Sequence, residues 1–308
     1  MSERFCDVGR GITLCYETFG DPKDPPALLV MGLAIQMIAW HEDFCEQLAG
    51  QGLYVVRFDN RDIGRSTHLD FRPPSSREML RRRVPSEQYT LSDMAEDAAG
   101  LLRELALSPA HVIGASMGGM IGQMLAAEQP EQVRSLTSIM STTGSRWRGQ
   151  PALRVYRYLL RRPPTTREEV VDRAAEVFGV VGSKALHDTE QVREMAGRSY
   201  DRGHNPAGTA RQLGAIIASG DRTRILGRII APTLVIHGSR DRMVKPSGGR
   251  ATAAAIPGAK LVMIDGMGHD LPRPLWPRLI ELIGDHARGA DASRAETEED
   301  SNARLSRT

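Results

Sequence analysis

The 308-residue chain reads as an α/β protein: a mostly parallel, twisted sheet flanked by helices, with an inserted helical segment. Three observations predict this. Short apolar runs without alternation, such as 27–31 and 111–113, interchange with stretches whose apolar residues recur at helical spacing. At one junction between the two patterns, Gly114-Ala115-Ser116-Met117-Gly118-Gly119 supplies the small residues that a sharp strand-to-helix turn needs. From about 145 to 228 the strand pattern stops and helical spacing alone continues.

Taken in order, 12–20 alternates like an exposed antiparallel strand, and Asp21-Pro22-Lys23-Asp24-Pro25-Pro26 breaks it. Residues 27–31 form a strand covered on both faces, 40–49 a helix, and 54–59 another strand. A helix over 91–105 leads to the strand at 111–113. The helix from Gly119 to Glu128 is stopped by Pro130, and 133–140 is the next strand. The insertion carries Arg146-Trp147-Arg148, the arginine-rich run 156–162 and the stretch 168–178, broken at Pro163-Pro164; its arginines read as solvated helix faces. Strands return at 232–237 and 260–264, and a helix over 275–287 closes the fold. The expected organisation is therefore a core in two parts, 1–144 and 229–287, a helical cap over 145–228, and a polar, disordered tail over 288–308.

Composition narrows the function. Apolar residues make up 41% of the chain, enough for a sizeable core, while 40 Lys+Arg against 38 Asp+Glu give no footprint for nucleic acid. No apolar run approaches the ~20 residues of a membrane span, and the first residues lack the apolar stretch of a secretory signal. Three cysteines, at 6, 15 and 45, have no metal or redox spacing and read as small hydrophobes in a reducing compartment, the cytoplasm.

Chemistry enters at the Gly114–Gly119 turn. Ser116 there would sit in strained backbone at a helix N-terminus, whose free N–H groups favour developing negative charge. A serine hydroxyl needs a base, and the base needs a carboxylate. Among eight histidines, His269 in Gly266-Met267-Gly268-His269 follows the last strand and is the best base. Asp241 in Gly238-Ser239-Arg240-Asp241 follows the strand before it and is the best acid; Asp265, still leaving its strand, reads as a turn cap. All three would meet at the carboxyl edge of the sheet. Two N–H donors for an oxyanion would come from Met117 and from Leu33, with Gly32 letting the chain turn. Met37, Trp40 and Met120, together with Gly32, are the expected substrate contacts, and Met31, Met117 and Met267 add to an adaptable apolar surface.

Across residues 10 to 287 the chain resembles the α/β-hydrolase superfamily. The resemblance rests on Leu29-Val30-Met31-Gly32, on 57–66 (Arg-Phe-Asp-Asn-Arg-Asp-Ile-Gly-Arg-Ser), on the Ser116 turn, on 232–241, and on 266–269. The Val-Met-Gly form and the 57–66 segment make it most similar to bacterial carboxylesterases of the aclacinomycin methylesterase and LipG-like group. The resemblance implies the α/β-hydrolase fold and a serine esterase, with Ser116, Asp241 and His269 as triad and Leu33 and Met117 as oxyanion donors. A departure is Met31-Gly32 where many members have His-Gly, which removes an imidazole behind the oxyanion loop but leaves the backbone donors. A serine in place of an aspartate nucleophile argues against dehalogenase and epoxide-hydrolase chemistry. The expected partner is a small-molecule ester acting on a monomer or homodimer, with no metal and no cofactor. A large polyketide-type ester or a macrolide lactone is the alternative substrate, and a non-catalytic binding protein on the same fold is the alternative of another class.

Overall fold

The run Pro-Ala-Leu-Leu-Val buries both of its faces, so it belongs in the middle of a sheet covered by helices on either side. The computed structural model describes residues 2–159 and 161–305, with side-chain surroundings for all of these except 159 and 297–305. The chain begins with strands β1 (Arg4–Asp7), β2 (Thr13–Phe19) and β3 (Pro26–Val30), then helix α1 (Glu42–Ala49) and β4 (Tyr54–Phe58). Next come α2 (Ser76–Leu80), α3 (Leu91–Glu104), β5 (Ala110–Ala115), α4 (Met117–Glu128) and β6 (Val133–Ile139). Helices α5 (Leu153–Leu159), α6 (Arg167–Val181), α7 (Thr189–Arg202), α8 (Pro206–Ser219) and α9 (Thr223–Leu226) are inserted before β7 (Thr233–Gly238). Helix α10 (Ser247–Ala255), β8 (Lys260–Ile264) and α11 (Trp276–Leu305) complete the described chain.

Among the described residues, eight strands form one sheet in the order β1-β2-β4-β3-β5-β6-β7-β8. β1 and β2 are antiparallel and the rest run parallel from β4 to β8. Alternate residues of the central strands feed two cores. Leu28, Val30, Val56, Val112 and Leu136 pack with Leu91, Met94, Leu101, Met120 and Ile121 of α3 and α4. Ala27, Leu29, Val55, Ile113 and Ile236 pack on the other face with Phe44 and Leu48 of α1 and Leu279 and Ile283 of α11. The strand order reverses between β3 and β5, since β4 lies on one side of β3 and β5 on the other. A crevice opens at such a switch point, at the carboxyl ends of the strands.

Two expectations are corrected. Of the disordered tail expected over 288–308, residues 288–305 instead continue α11, and 306–308 lie outside the described residues. Composition is polar there, but Ala290 is buried, and Asp291 accepts from Arg134 Nη1 at 3.0 Å and lies 3.3 Å from His111 Nε2. These contacts to the sheet carry the helix past its apolar stripe. Met37 and Trp40, expected at the site, lie in and just after a short 3₁₀ turn (Met37–Ala39) and are buried, and the helix expected over 40–49 begins at Glu42.

Gly118 fixes how closely α4 approaches the sheet: a Cβ there would be driven into the Val30 carbonyl. The backbone cannot yield as a side chain can, so Gly118→Ala should lower the unfolding free energy by about 3 kcal/mol or more, read from a urea midpoint. An unchanged midpoint would show that α4 has room to move. Burial also lowers the pKa of His111, against the nearby Asp291 carboxylate, which raises it, and Arg134, which lowers it. Its folded value lies below the unfolded value of about 6.5, so the neutral ring contributes stability above that pH and loses it as pH falls. The urea midpoint should therefore fall between pH 7.5 and 5.5, and that of His111→Gln should fall less; an equal fall would contradict it.

Candidate active site

Four loops leave the carboxyl edge of the parallel strands and meet. The loop after β3 carries Gly32 and Leu33, the turn after β5 carries Ser116, and the loops after β7 and β8 carry Asp241 and His269. Ser116 has φ 55° and ψ −116°, a conformation that L-residues avoid and that costs roughly 1–3 kcal/mol. Its neighbours make this possible: side chains at Gly114 and Gly118 would collide with the turn and with β3. Gly32 packs tightly here, since a Cβ would come to 3.2 Å from Ser116 Cβ and 3.3 Å from Ala115 O.

The side chains of Ser116, His269 and Asp241 are in contact. His269 Nε2 lies 3.0 Å from Ser116 Oγ, and Nδ1 lies 2.7 Å from Asp241 Oδ2. The other oxygen of Asp241 accepts from the N–H groups of Met243 (2.9 Å) and Val244 (2.8 Å). A carboxylate held by two N–H donors only accepts, so Nδ1 of His269 carries the proton and Nε2 presents its lone pair to the serine. Asp241 is buried and His269 only slightly exposed. His237 stands behind the acid, fully buried: its Nε2 donates to Val244 O at 2.8 Å, and burial lowers its pKa. A neutral imidazole there adds no charge to compete with His269 for the carboxylate. Asp265 does what its position suggested, accepting from Ser239 Oγ at 2.8 Å.

Met117 follows the serine in the chain, and Leu33 follows Gly32, which packs against Ser116. Met117 opens α4, where no preceding turn supplies an acceptor, and Leu33 lies in the turn closed by Ile35 N–H donating to Gly32 O at 3.3 Å. The segment 59–66 braces this turn. Asn60 Nδ2 donates to Met31 O at 3.0 Å, and Asp59 accepts from Met37 N–H at 2.8 Å.

The inserted helices reach these loops with side chains that sequence reasoning did not single out. Arg211 of α8 grips Asp62 with two hydrogen bonds, at 2.9 and 2.7 Å, and Arg202 of α7 pairs with Asp59. Gln212 of α8 bonds the Leu33 turn itself. Ser183, just past α6, accepts from Gly268 N–H and donates to Asp270, while His269 N–H donates to Val181 O at 2.8 Å. No local signal marked the two arginines, because their partners Asp59 and Asp62 sit in a segment that carries Arg57, Arg61 and Arg65 of its own.

Of the expected substrate contacts, Gly32 and Met120 lie beside Ser116, one in the turn after β3 and one on the first turn of α4. Met37 and Trp40 do not line the site and are corrected. Met37 is enclosed by Cys15 and Ile38, and Trp40 packs on Phe44 with ring centroids 5.5 Å apart. Both have no exposed surface, because Met37 N–H is drawn to Asp59 and the 3₁₀ turn directs these side chains into the fold. The methionines likewise divide between the two faces of the sheet, Met31 and Met267 on one, Met117 and Met120 on the other.

Comparison with known proteins follows this geometry. A family model described as alpha/beta hydrolase fold matches residues 25–272. The chain is 30% identical over 303 residues to a rhodomycin D methylesterase of Streptomyces sp. (strain C5), covering 91% of this chain and 96% of the relative. It matches the rhodomycin D methylesterase of Streptomyces peucetius with the same identity and coverage. In fold it is similar to the enol-lactonase from Burkholderia xenovorans LB400, with a TM-score of 0.71, 22% identity and 92% and 99% of the two chains covered. A hydrolase of 2-hydroxy-6-oxo-6-phenylhexa-2,4-dienoate from Rhodococcus sp. strain RHA1 superposes with a TM-score of 0.73 at 19% identity, covering 93% of this chain and 98% of that one. With its sheet order, its strained serine turn and a family match over most of its length, the chain belongs to the α/β-hydrolase family.

Proposed function

We propose that this chain hydrolyses carboxylic esters through an acyl-enzyme on Ser116. The observation that carries the reading is the single line of hydrogen bonds from buried Asp241 through His269 to the strained Ser116. In the first half-reaction His269 Nε2 takes the Ser116 proton as Oγ attacks the ester carbonyl. The N–H groups of Leu33 and Met117 hold the resulting oxyanion, and His269 then gives its proton to the departing alcohol. Water repeats these steps on the acyl-serine, releasing the acid and restoring the serine. Asp241 keeps the ring in the required tautomer and stabilises its charged form. Protein groups and water account for every step, without metal or cofactor.

The substrate reading rests on the relatives. Both rhodomycin D methylesterases are spanned almost end to end, which supports a methyl ester of a large molecule over a generic short-chain ester. In this reading 145–228 acts as a cap over the site, with 1–144 and 229–287 as the catalytic core. The free cysteines fit the cytoplasm, and a monomer or homodimer is enough, since every group in the mechanism comes from one chain. Among the described residues no helix is long and apolar enough to cross a membrane.

Two assays test this together. Ester hydrolysis should be measured on p-nitrophenyl esters and on methyl esters that include rhodomycin D, and Ser116→Ala should lower kcat by at least ~10³-fold with an unchanged circular dichroism spectrum. Retained activity would place the nucleophile elsewhere. Labelling of Ser116 by a fluorophosphonate without turnover of any ester would favour a binding protein.

A further inference from the structure

The loop that carries Leu33 has an unusual support. Gly32 to Ile35 forms a turn in which Ala34, a residue with a Cβ, sits at φ 63°. In such a turn the Leu33–Ala34 peptide plane can flip by about half a rotation, which would return Ala34 to negative φ and release the turn from α8. The Ala34 N–H shows which way the plane faces, and it donates to Gln212 Oε1 at 3.0 Å. Gln212 belongs to α8, in the inserted helices, and is completely buried. Its orientation is fixed at both ends of the amide, because Nε2 donates to Arg61 O at 2.9 Å. The loop's far end is held by the same insertion: Gln36 Nε2 donates to Ser199 O and Gly203 O, and Gln36 Oε1 accepts from Arg202.

We propose that Gln212 is a positioning residue for ester hydrolysis: it locks the Gly32–Ile35 turn in the strained form that aims Leu33 N–H at the oxyanion. The inference rests on the esterase reading above. Gln212 touches neither substrate nor Ser116. It holds the peptide plane next to the one that carries Leu33 N–H and so anchors the whole turn; its effect falls where the oxyanion forms and not where the ground-state ester binds. The orientation of an oxyanion donor on the catalytic core is thus set from the inserted helices, 178 residues further along the chain.

The test separates the two ideas. Wild type and Ser116→Ala establish ester hydrolysis first. Gln212→Met, which fills the space without the amide, should lower kcat about 10- to 100-fold. KM should stay within about twofold, and inhibition by a trifluoromethyl ketone, whose adduct carries the oxyanion, should weaken by a similar factor to kcat. Gln212→Asn keeps an amide but is one methylene short of Ala34; it should move the same quantities and serves if the methionine variant does not fold. Ala34→Gly added to either variant should recover at least about threefold in kcat, because glycine adopts this φ without strain. Unchanged kcat and ketone inhibition, or a raised KM at constant kcat, would overturn the inference while leaving the esterase reading intact. No hydrolysis by the wild type would overturn both.

Discussion

One constraint organises the site: Ser116 is held at positive φ at the point where a parallel strand becomes a helix. The fold sustains that cost because the turn is clamped from several sides. Ser116 N–H donates to Ile139 O of the neighbouring strand at 2.9 Å, Met120 N–H closes back to Ser116 O at 3.2 Å, and Gly118 lets α4 press on the end of β3. The result lifts Oγ above the sheet and leaves the first N–H groups of α4 facing the same space. Parallel strands then bring their carboxyl ends together, so residues 116, 241 and 269 meet although far apart in sequence.

Electrostatics in this region serve geometry more than stability. Asp59, Asp62, Arg202 and Arg211 are all largely buried, and burying a charge costs several kcal/mol before its partner offsets it. Such pairs are costly to break singly and specify where two elements meet. Here they join the 59–66 segment of the core to α7 and α8, and through Asn60 and Asp59 they reach the loop after β3. At the other side of the site, Ser183 and Asp270 tie the end of α6 to the histidine loop. The inserted helices therefore brace both loops that flank Ser116.

Much of this was legible because it is local. Unbroken apolar runs marked β3, β4, β5, β6 and β7 within a residue or two, and glycine spacing marked the serine turn. Asp241 and His269 could be chosen because each follows directly on a strand of known direction. What escaped notice is non-local or weakly patterned. The four-residue β1 is mostly exposed, and α10 opens on Ser-Gly-Gly, so neither shows a clear period. Met37 and Trp40 looked like pocket residues because they lie near Gly32 in sequence, but a 3₁₀ turn reverses the direction of their side chains. The start of the stretch beyond 287 meets the sheet through Asp291 with Arg134 and His111, a contact that composition does not reveal. Gln212 carries no local signal at all, since its whole importance comes from the loop it meets.

The central claim is that an acyl group passes through the oxygen of Ser116, and it can be observed directly. Quenching the enzyme in acid during turnover of a slowly deacylating p-nitrophenyl ester, then measuring intact mass and mapping peptides, gives the answer. The account predicts a mass increase equal to the acyl group less one proton, located on the peptide that contains Ser116. Turnover with a burst of p-nitrophenol and the adduct on another residue would contradict it.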